Sequence, residues 1–183
     1  MTGPLAIQEY IQEMIRANPS NPDKIIELPR DCDIFAWQYE HIRQFLIEIN
    51  LLVTLLMDKC SKLTCPILTF KGQSYKCVVH EGSGECSAVD YMVHNLDNAM
   101  EIVLKKRKDC VKGGDGSPPK CIEDLHKILQ RVYRILVHAV TSHRGVFEEF
   151  EKEMFLYARF EAFVRKFGVP NIQLISFSDQ RTD

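Results

Sequence analysis

A chain of 183 residues, 45% apolar and 26% charged, has the balance of one folded globular domain, and is too apolar for a disordered segment. Its 25 acidic and 23 basic residues leave a formal charge of −2, which gives no general field for attracting a nucleic-acid backbone. The most apolar run, Phe45 to Met57, is interrupted by Glu48 and Asn50 and falls short of the about 20 residues that a membrane span requires.

The first residues, MTGPLAIQEYIQEM, have neither the basic start nor the apolar middle of a secretory signal, so a cytoplasmic protein is expected. Leu5, Ile7, Tyr10, Ile11, Met14 and Ile15 recur at helical spacing and predict a first amphipathic helix, stopped by Asn18-Pro19. Pro19, Pro22 and Pro29 then predict an extended connection. From Trp37 to Cys60 the pattern is helical and apolar on most sides, as in a central helix enclosed by others. After Cys65-Pro66, the runs ILTF and YKCVV, separated by KGQS, predict a small hairpin.

Ser87, three residues before Asp90, caps a third helix whose apolar face is Val89, Met92, Val93, Leu96, Met100, Val103 and Leu104. Its end, Lys105 to Lys108, suits the negative pole of the helix better than it suits nucleic acid. CVKGGDGSPPK reads as a loop within the domain. Two long helical patterns follow. One carries Leu125, Ile128, Leu129, Val132, Leu136 and Ala139; the other carries Phe147, Phe150, Met154, Tyr157, Phe160, Phe163 and Phe167, and ends at Gly168 and Pro170. The aromatic stripe falls at helical spacing and is read as core packing, not as a cofactor pocket. The expected fold is mainly α, a helical bundle core with a small β-hairpin. It is one domain over 1–183, with residues 1–4 and 171–183 as loose tails.

Seven cysteines, an odd number in a chain that needs no staples, predict reduced thiols and a metal site instead of a disulfide framework. Cys60 and Cys65 stand five apart, as do His138 and His143, and two thiolates with two imidazoles are the donor set of a tetrahedral zinc. On one straight helix the two histidines would point about 140° apart. Both can bind one ion only if the chain bends between them, and Thr141-Ser142 offers a helix start near His143. On spacing alone, a metal site and ordinary buried thiols with helical histidines explain the pattern equally well. A second grouping, Cys77, His80 and Cys86, falls on the presumed hairpin and its exit and ranks far behind.

Four protein ligands close a tetrahedral ion, whereas catalytic zinc keeps an open position, so the site is expected to be structural. No HExxH pair, nucleophile elbow, phosphate loop or dinucleotide fingerprint is present, and no catalytic residue is assigned. Lys127, Arg131, Arg134 and His138 follow at spacings of four, three and four on one helix side. Arginines three apart can clamp a phosphate; a solvated face is the ordinary alternative.

Several motifs in order, C-x4-C with H-x4-H, WxYEHIRQF, CVVHEGSGECSAVDY and RVYRILVHAVTSHRGVFEEFE, resemble the Mob family of kinase and phosphatase adaptors, nearest its phocein branch. The resemblance runs from about Leu5 to Phe167. It implies the Mob fold, with a four-helix core and one structural zinc per chain held by Cys60, Cys65, His138 and His143. It also implies a non-enzymatic subunit of the striatin-interacting phosphatase and kinase assembly (STRIPAK). The partners would be a striatin-type scaffold, a type-2A phosphatase and Ste20-type kinases, with a peripheral membrane or Golgi-associated pool beside the cytoplasmic one. Family members recognise phosphopeptides through basic residues one and two turns before the first zinc histidine. Arg131 and Arg134 match two of those positions, Lys127 lies nearby, and Gln130 replaces a residue that is basic in relatives. The chain opens close to the first helix, without the longer leader associated with phocein, and a contact made by such a leader is not assumed. The alternatives are a coactivator of nuclear Dbf2-related kinases and, more remotely, a zinc hydrolase.

Overall fold

The structure, a computed structural model, describes residues 5–70, 72–75, 77, 79, 80, 86–111 and 120–175. The first helix, α1 (Ala6–Ala17), follows the predicted stripe. The connection expected to be wholly extended contains a short helix, α2 (Pro22–Ile26). Proline is tolerated there because Pro22 occupies the first turn, and the Asn21 side chain accepts the Lys24 N–H. Ile25 and Ile26 are thereby buried, and the Ile26 carbonyl accepts the Trp37 indole N–H at 3.2 Å.

The central helix α3 (Ile34–Leu56) starts three residues before the predicted Trp37 because Asp33 caps it, accepting from the Phe35 and Ala36 N–H groups. It is not enclosed on every side: Ile47, Leu51 and Leu55, at i, i+4 and i+8, form an exposed apolar row. The other faces pack on α4 (Ala88–Val111) and α5 (Lys120–Ser142), with α1 across the first half. Tyr39 ties α3 to α4 by donating to the Val103 carbonyl at 3.1 Å.

Among the described residues the hairpin is shorter and tighter than the two apolar runs suggested, and Lys76 and Val78 of the second run lie outside them. Strands β1 (Thr69–Phe70) and β2 (Gln73–Ser74) pair antiparallel, Thr69 with Ser74 and Phe70 with Gln73. The pairing therefore uses part of KGQS as strand, and Gly72, at φ 76°, allows the close turn. Tyr75 continues the ladder by donating to the Leu68 carbonyl. The predicted cap of α4 is present: Ser87 Oγ accepts the Asp90 N–H and donates to the Asp90 carboxylate.

The helices claim both ends of the predicted 110–120 loop; residues 112–119 lie outside the described residues. Cys110 and Cys121 form a disulfide across this loop, with Cα atoms 5.8 Å apart. The expectation of reduced thiols therefore fails at this pair, because α4 and α5 bring the two buried side chains face to face.

The last predicted helix is two, α6 (Arg144–Met154) and α7 (Leu156–Phe167). Phe155 adopts a left-handed φ of 47°, and the Glu151 carboxylate accepts the Tyr157 and Ala158 N–H groups, which caps the new helix. The turn lets Arg159, wholly buried, ion-pair with Glu48 of α3 and donate to the Met154 carbonyl. The aromatic stripe is core as predicted: Phe160 stacks on Tyr133 with centroids 5.7 Å apart, and Phe163 meets Phe45 edge-on at 5.4 Å. Gly168 ends α7 at φ 61°. Residues 171–175, expected to belong to a loose tail, are fastened: Tyr133 Oη donates to the Gln173 carbonyl and Tyr157 Oη to the Ile175 carbonyl, both at 2.8 Å. Residues 1–4 and 176–183 of the expected tails lie outside the described residues.

Candidate metal centre

Cys60 lies just beyond the end of α3, its N–H bonded to the Leu56 carbonyl at 2.7 Å. The turn from Cys60 to Cys65 is set by Ser61 and Thr64: Thr64 Oγ1 accepts the Ser61 N–H at 2.8 Å and donates to the Lys59 carbonyl at 3.0 Å. The Cys65 N–H bonds to the Ser61 carbonyl, so the turn closes on itself and aims both thiols to one side.

The histidines come from the other edge of the core. His138 lies one turn before the end of α5, while His143 sits between α5 and α6 with φ −135° and ψ 43°. The required bend is present, but it falls at His143; α5 runs on through Thr141 and Ser142, which do not cap α6. Thr141 Oγ1 instead donates back to the Val137 carbonyl at 2.9 Å, a bond that bends helices.

The bend makes the two rings meet, with centroids 5.1 Å apart. Cys60 Sγ lies 3.4 Å from His138 Nε2 and Cys65 Sγ 3.3 Å from His143 Nε2, and the four ligand atoms all fall within 4.8 Å of one another. Bonds of about 2.3 Å to sulfur and about 2.0–2.1 Å to nitrogen set neighbouring donors of a tetrahedral ion about 3.5 Å apart, so these residues fit zinc in both identity and spacing. Ser142 Oγ lies 3.4 Å from His138 Nδ1; a proton shared there leaves the Nε2 lone pair facing the thiols.

Burial tunes the free ligands in opposite directions. It pushes the Cys60 thiol up to about 12, with Cys65 beside it adding to the shift. It holds His138 down at about 4, with His143 contributing, and lowers His143 as well. The imidazoles are thus in their ligating form, and the thiols must lose protons to a metal.

The cationic stripe is only partly free. Lys127 pairs with Asp124 at 3.6 Å, and Asp124 is held more closely by Lys106 at 2.7 Å. Arg134 donates to Tyr91 Oη at 3.1 Å and lies over the Tyr75 ring at 4.1 Å. Arg131 is half-buried between them, and Gln130 donates to the Pro170 carbonyl. Arg134 borders a groove of about 510 Å³ also lined by Tyr75, Gln130, Tyr133, Asn171 and Gln173. His138 does not join the phosphate face, since it is turned to the thiols.

Sequence reasoning missed one residue with metal-binding chemistry. His94, on the second turn of α4, joins Cys77, His80 and Cys86 in another four-residue group. Its place at i+4 from Asp90 on a capped helix was legible; that the hairpin exit would lie against that face was not.

No helix among the described residues is long and apolar enough to cross a membrane. MOB kinase activator-like 4 of Drosophila melanogaster is 38% identical over 92% of this chain and 75% of its own length. MOB-like protein phocein of Caenorhabditis elegans matches at 38% over the same shares, and MOB kinase activator 3A of Homo sapiens at 24% over 79% of this chain and 70% of its own. The profile of the Mob1/phocein family matches residues 14–176, which include all four residues of the Cys60 cluster and the whole helical core from α3 to α7. With that match, the mainly helical fold and the motifs that run through it, the chain belongs to the Mob1/phocein family.

Proposed function

We propose that the protein is a non-catalytic adaptor of kinase and phosphatase signalling, built around a structural zinc at Cys60, Cys65, His138 and His143. The observation that carries this reading is the closed donor set. Two thiols and two imidazoles from distant stretches of chain fill a tetrahedral ion and leave no position for water or substrate. The relatives named as kinase activators and as phocein support a regulatory role. The exposed row Ile47, Leu51 and Leu55 offers a protein-docking face.

At finer grain, the reading is a phocein-like subunit of a striatin-interacting assembly with a type-2A phosphatase and Ste20-type kinases. It acts in the cytoplasm with a peripheral membrane or Golgi-associated pool. Identity of 38% to the relative named phocein, against 24% to MOB kinase activator 3A, favours this over coactivation of nuclear Dbf2-related kinases. Arg131 and Arg134, with Lys127, are the proposed phosphate contacts, next to the groove beside Tyr75. Affinity purification of the tagged protein from its own cells tests the assignment. Recovery of striatin-type and phosphatase subunits is expected; recovery of nuclear Dbf2-related kinases in their place would transfer the protein to the other branch.

A further inference from the structure

The Cys60 cluster has a counterpart elsewhere in the molecule. Cys77 follows the hairpin by three residues, His80 by six, Cys86 precedes the cap of α4, and His94 lies on its second turn. Cys77 Sγ is 3.4 Å from His94 Nδ1 and Cys86 Sγ 3.6 Å from the same nitrogen. The His80 and His94 rings are 5.0 Å apart between centroids, against 5.1 Å for His138 and His143, and again all four ligand atoms lie within 4.8 Å of one another. These are the edge lengths of about 3.5 Å that a tetrahedral ion with sulfur and nitrogen donors imposes.

Chance explains such a group poorly. Two thiols and two imidazoles here converge from the hairpin exit and α4, with their ligand atoms turned toward one another. The Val79 N–H points at Cys77 Sγ from 3.5 Å, which places a backbone donor where a metal-bound thiolate carries its charge. We propose that Cys77, His80, Cys86 and His94 hold a second zinc-class divalent ion, so that the protein carries two metals per chain. Binding releases one proton from each of Cys77 and Cys86, and the two thiolates neutralise the ion's two positive charges. With all four positions filled, this ion is structural too.

Its position suggests what it organises. Tyr75 stands two residues before Cys77, and Tyr91 three residues before His94, and both side chains hold Arg134. The ion clasps the hairpin exit to α4 and so fixes both walls around that arginine.

The test is metal stoichiometry on the full chain, purified under reductant, loaded with Zn2+ alone, freed of excess and measured by elemental analysis. Two zinc ions per chain are expected, falling to one in Cys86→Ser and one in His94→Ala, with the helical circular dichroism retained. Loading with Co2+ gives a second readout: the tetrahedral ligand-field bands should correspond to two sites in the wild type and one in each variant. The ion that folded Cys86→Ser and His94→Ala retain is the one at the Cys60 cluster; a single zinc that both variants lose would place the ion here and sink the Cys60 reading, so failure there and failure here are separable. One zinc in the wild type that both variants keep, or two retained in both Cys86→Ser and His94→Ala, overturns the proposal. Quantitative oxidation of Cys77 to Cys86 in reductant-treated, zinc-loaded protein overturns it as well. If either variant fails to fold, the wild-type count and its cobalt spectrum decide alone.

Discussion

The two Cys2His2 clusters are nearly alike in their internal distances and unlike in their surroundings. The Cys60 cluster joins the end of α3 to the α5–α6 junction, with Cys60 and His138 buried among core residues. In the Cys77 cluster His80 is exposed and Cys86 and His94 are half-buried. The same donor set therefore sits against unequal amounts of structure. A metal between core helices stabilises the whole fold, whereas one at the hairpin exit restrains a local segment.

The strongest way to break this comparison is to remove the core ligand set. Cys60→Ser or His138→Ala should cost on the order of the domain's entire stability, about 5–15 kcal/mol, because metal-binding energy at such a site is folding energy. Thermal unfolding followed by circular dichroism, with and without chelator, checks this. The matching change at the other cluster, His94→Ala, should lower Tm by only a few degrees, and its faster amide exchange should be confined to the hairpin and the first turns of α4. Equal losses in the two variants would erase the distinction.

A control that leaves both clusters untouched comes next. Arg159→Met strands the buried Glu48 carboxylate and should cost about 3–5 kcal/mol, with metal content unchanged. If metal is lost as well, core packing and coordination are not separable in this fold.

Acid sensitivity sharpens the comparison further through His41, a buried histidine outside either cluster. It is packed against Trp37, Phe45 and Phe163. Burial, with the charges of Arg159 and Lys166 adding, holds its pKa down at about 3. Between that value and about 6.5 the unfolded chain binds a proton that the folded chain does not, so stability rises with pH. The contribution is full above about 6.5 and falls by about 1.4 kcal/mol per unit as pH drops toward 3. Urea unfolding at pH 7 and pH 5 should show about 2 kcal/mol less of this loss in His41→Phe than in the wild type. An unchanged pH dependence would assign the acid sensitivity to the metal ligands.

The smallest expected effect on stability is at the stripe. Arg131→Ala with Arg134→Ala should change stability by about 1 kcal/mol or less, most of it from the Arg134 contacts to Tyr91 and Tyr75. The same double change should abolish any preference for a phosphorylated over an unphosphorylated partner peptide in isothermal titration. Equal affinities of the wild type for both peptides would make the stripe a solvated face.

Where chemistry is local, the sequence was sufficient. The stripes of α1, α5 and α7, the Ser87-Asp90 cap and the stop at Gly168 all depend on neighbours within one or two turns, which periodicity and capping record directly. The pairing of Cys60 and Cys65 with His138 and His143 was reachable because both pairs have recognisable spacing, although the bend came at His143 and not before it. Glu151 reaching forward to cap α7 was harder to foresee, since the residue looks like any surface glutamate in a helical pattern.

What the sequence determined by itself was therefore the helices, the apolar faces that bury them and one set of metal-ligand types. Tertiary structure alone decided which distant residues meet. It brought His94 to Cys77, His80 and Cys86, Cys110 to Cys121, and Arg134 between Tyr75 and Tyr91. The physical reason is that periodicity reports which side of an element faces inward, while coordination, disulfide formation and cation–π contact depend on separations of a few ångströms between elements. Those separations are fixed only when α4 packs against α5 and the hairpin closes at Gly72.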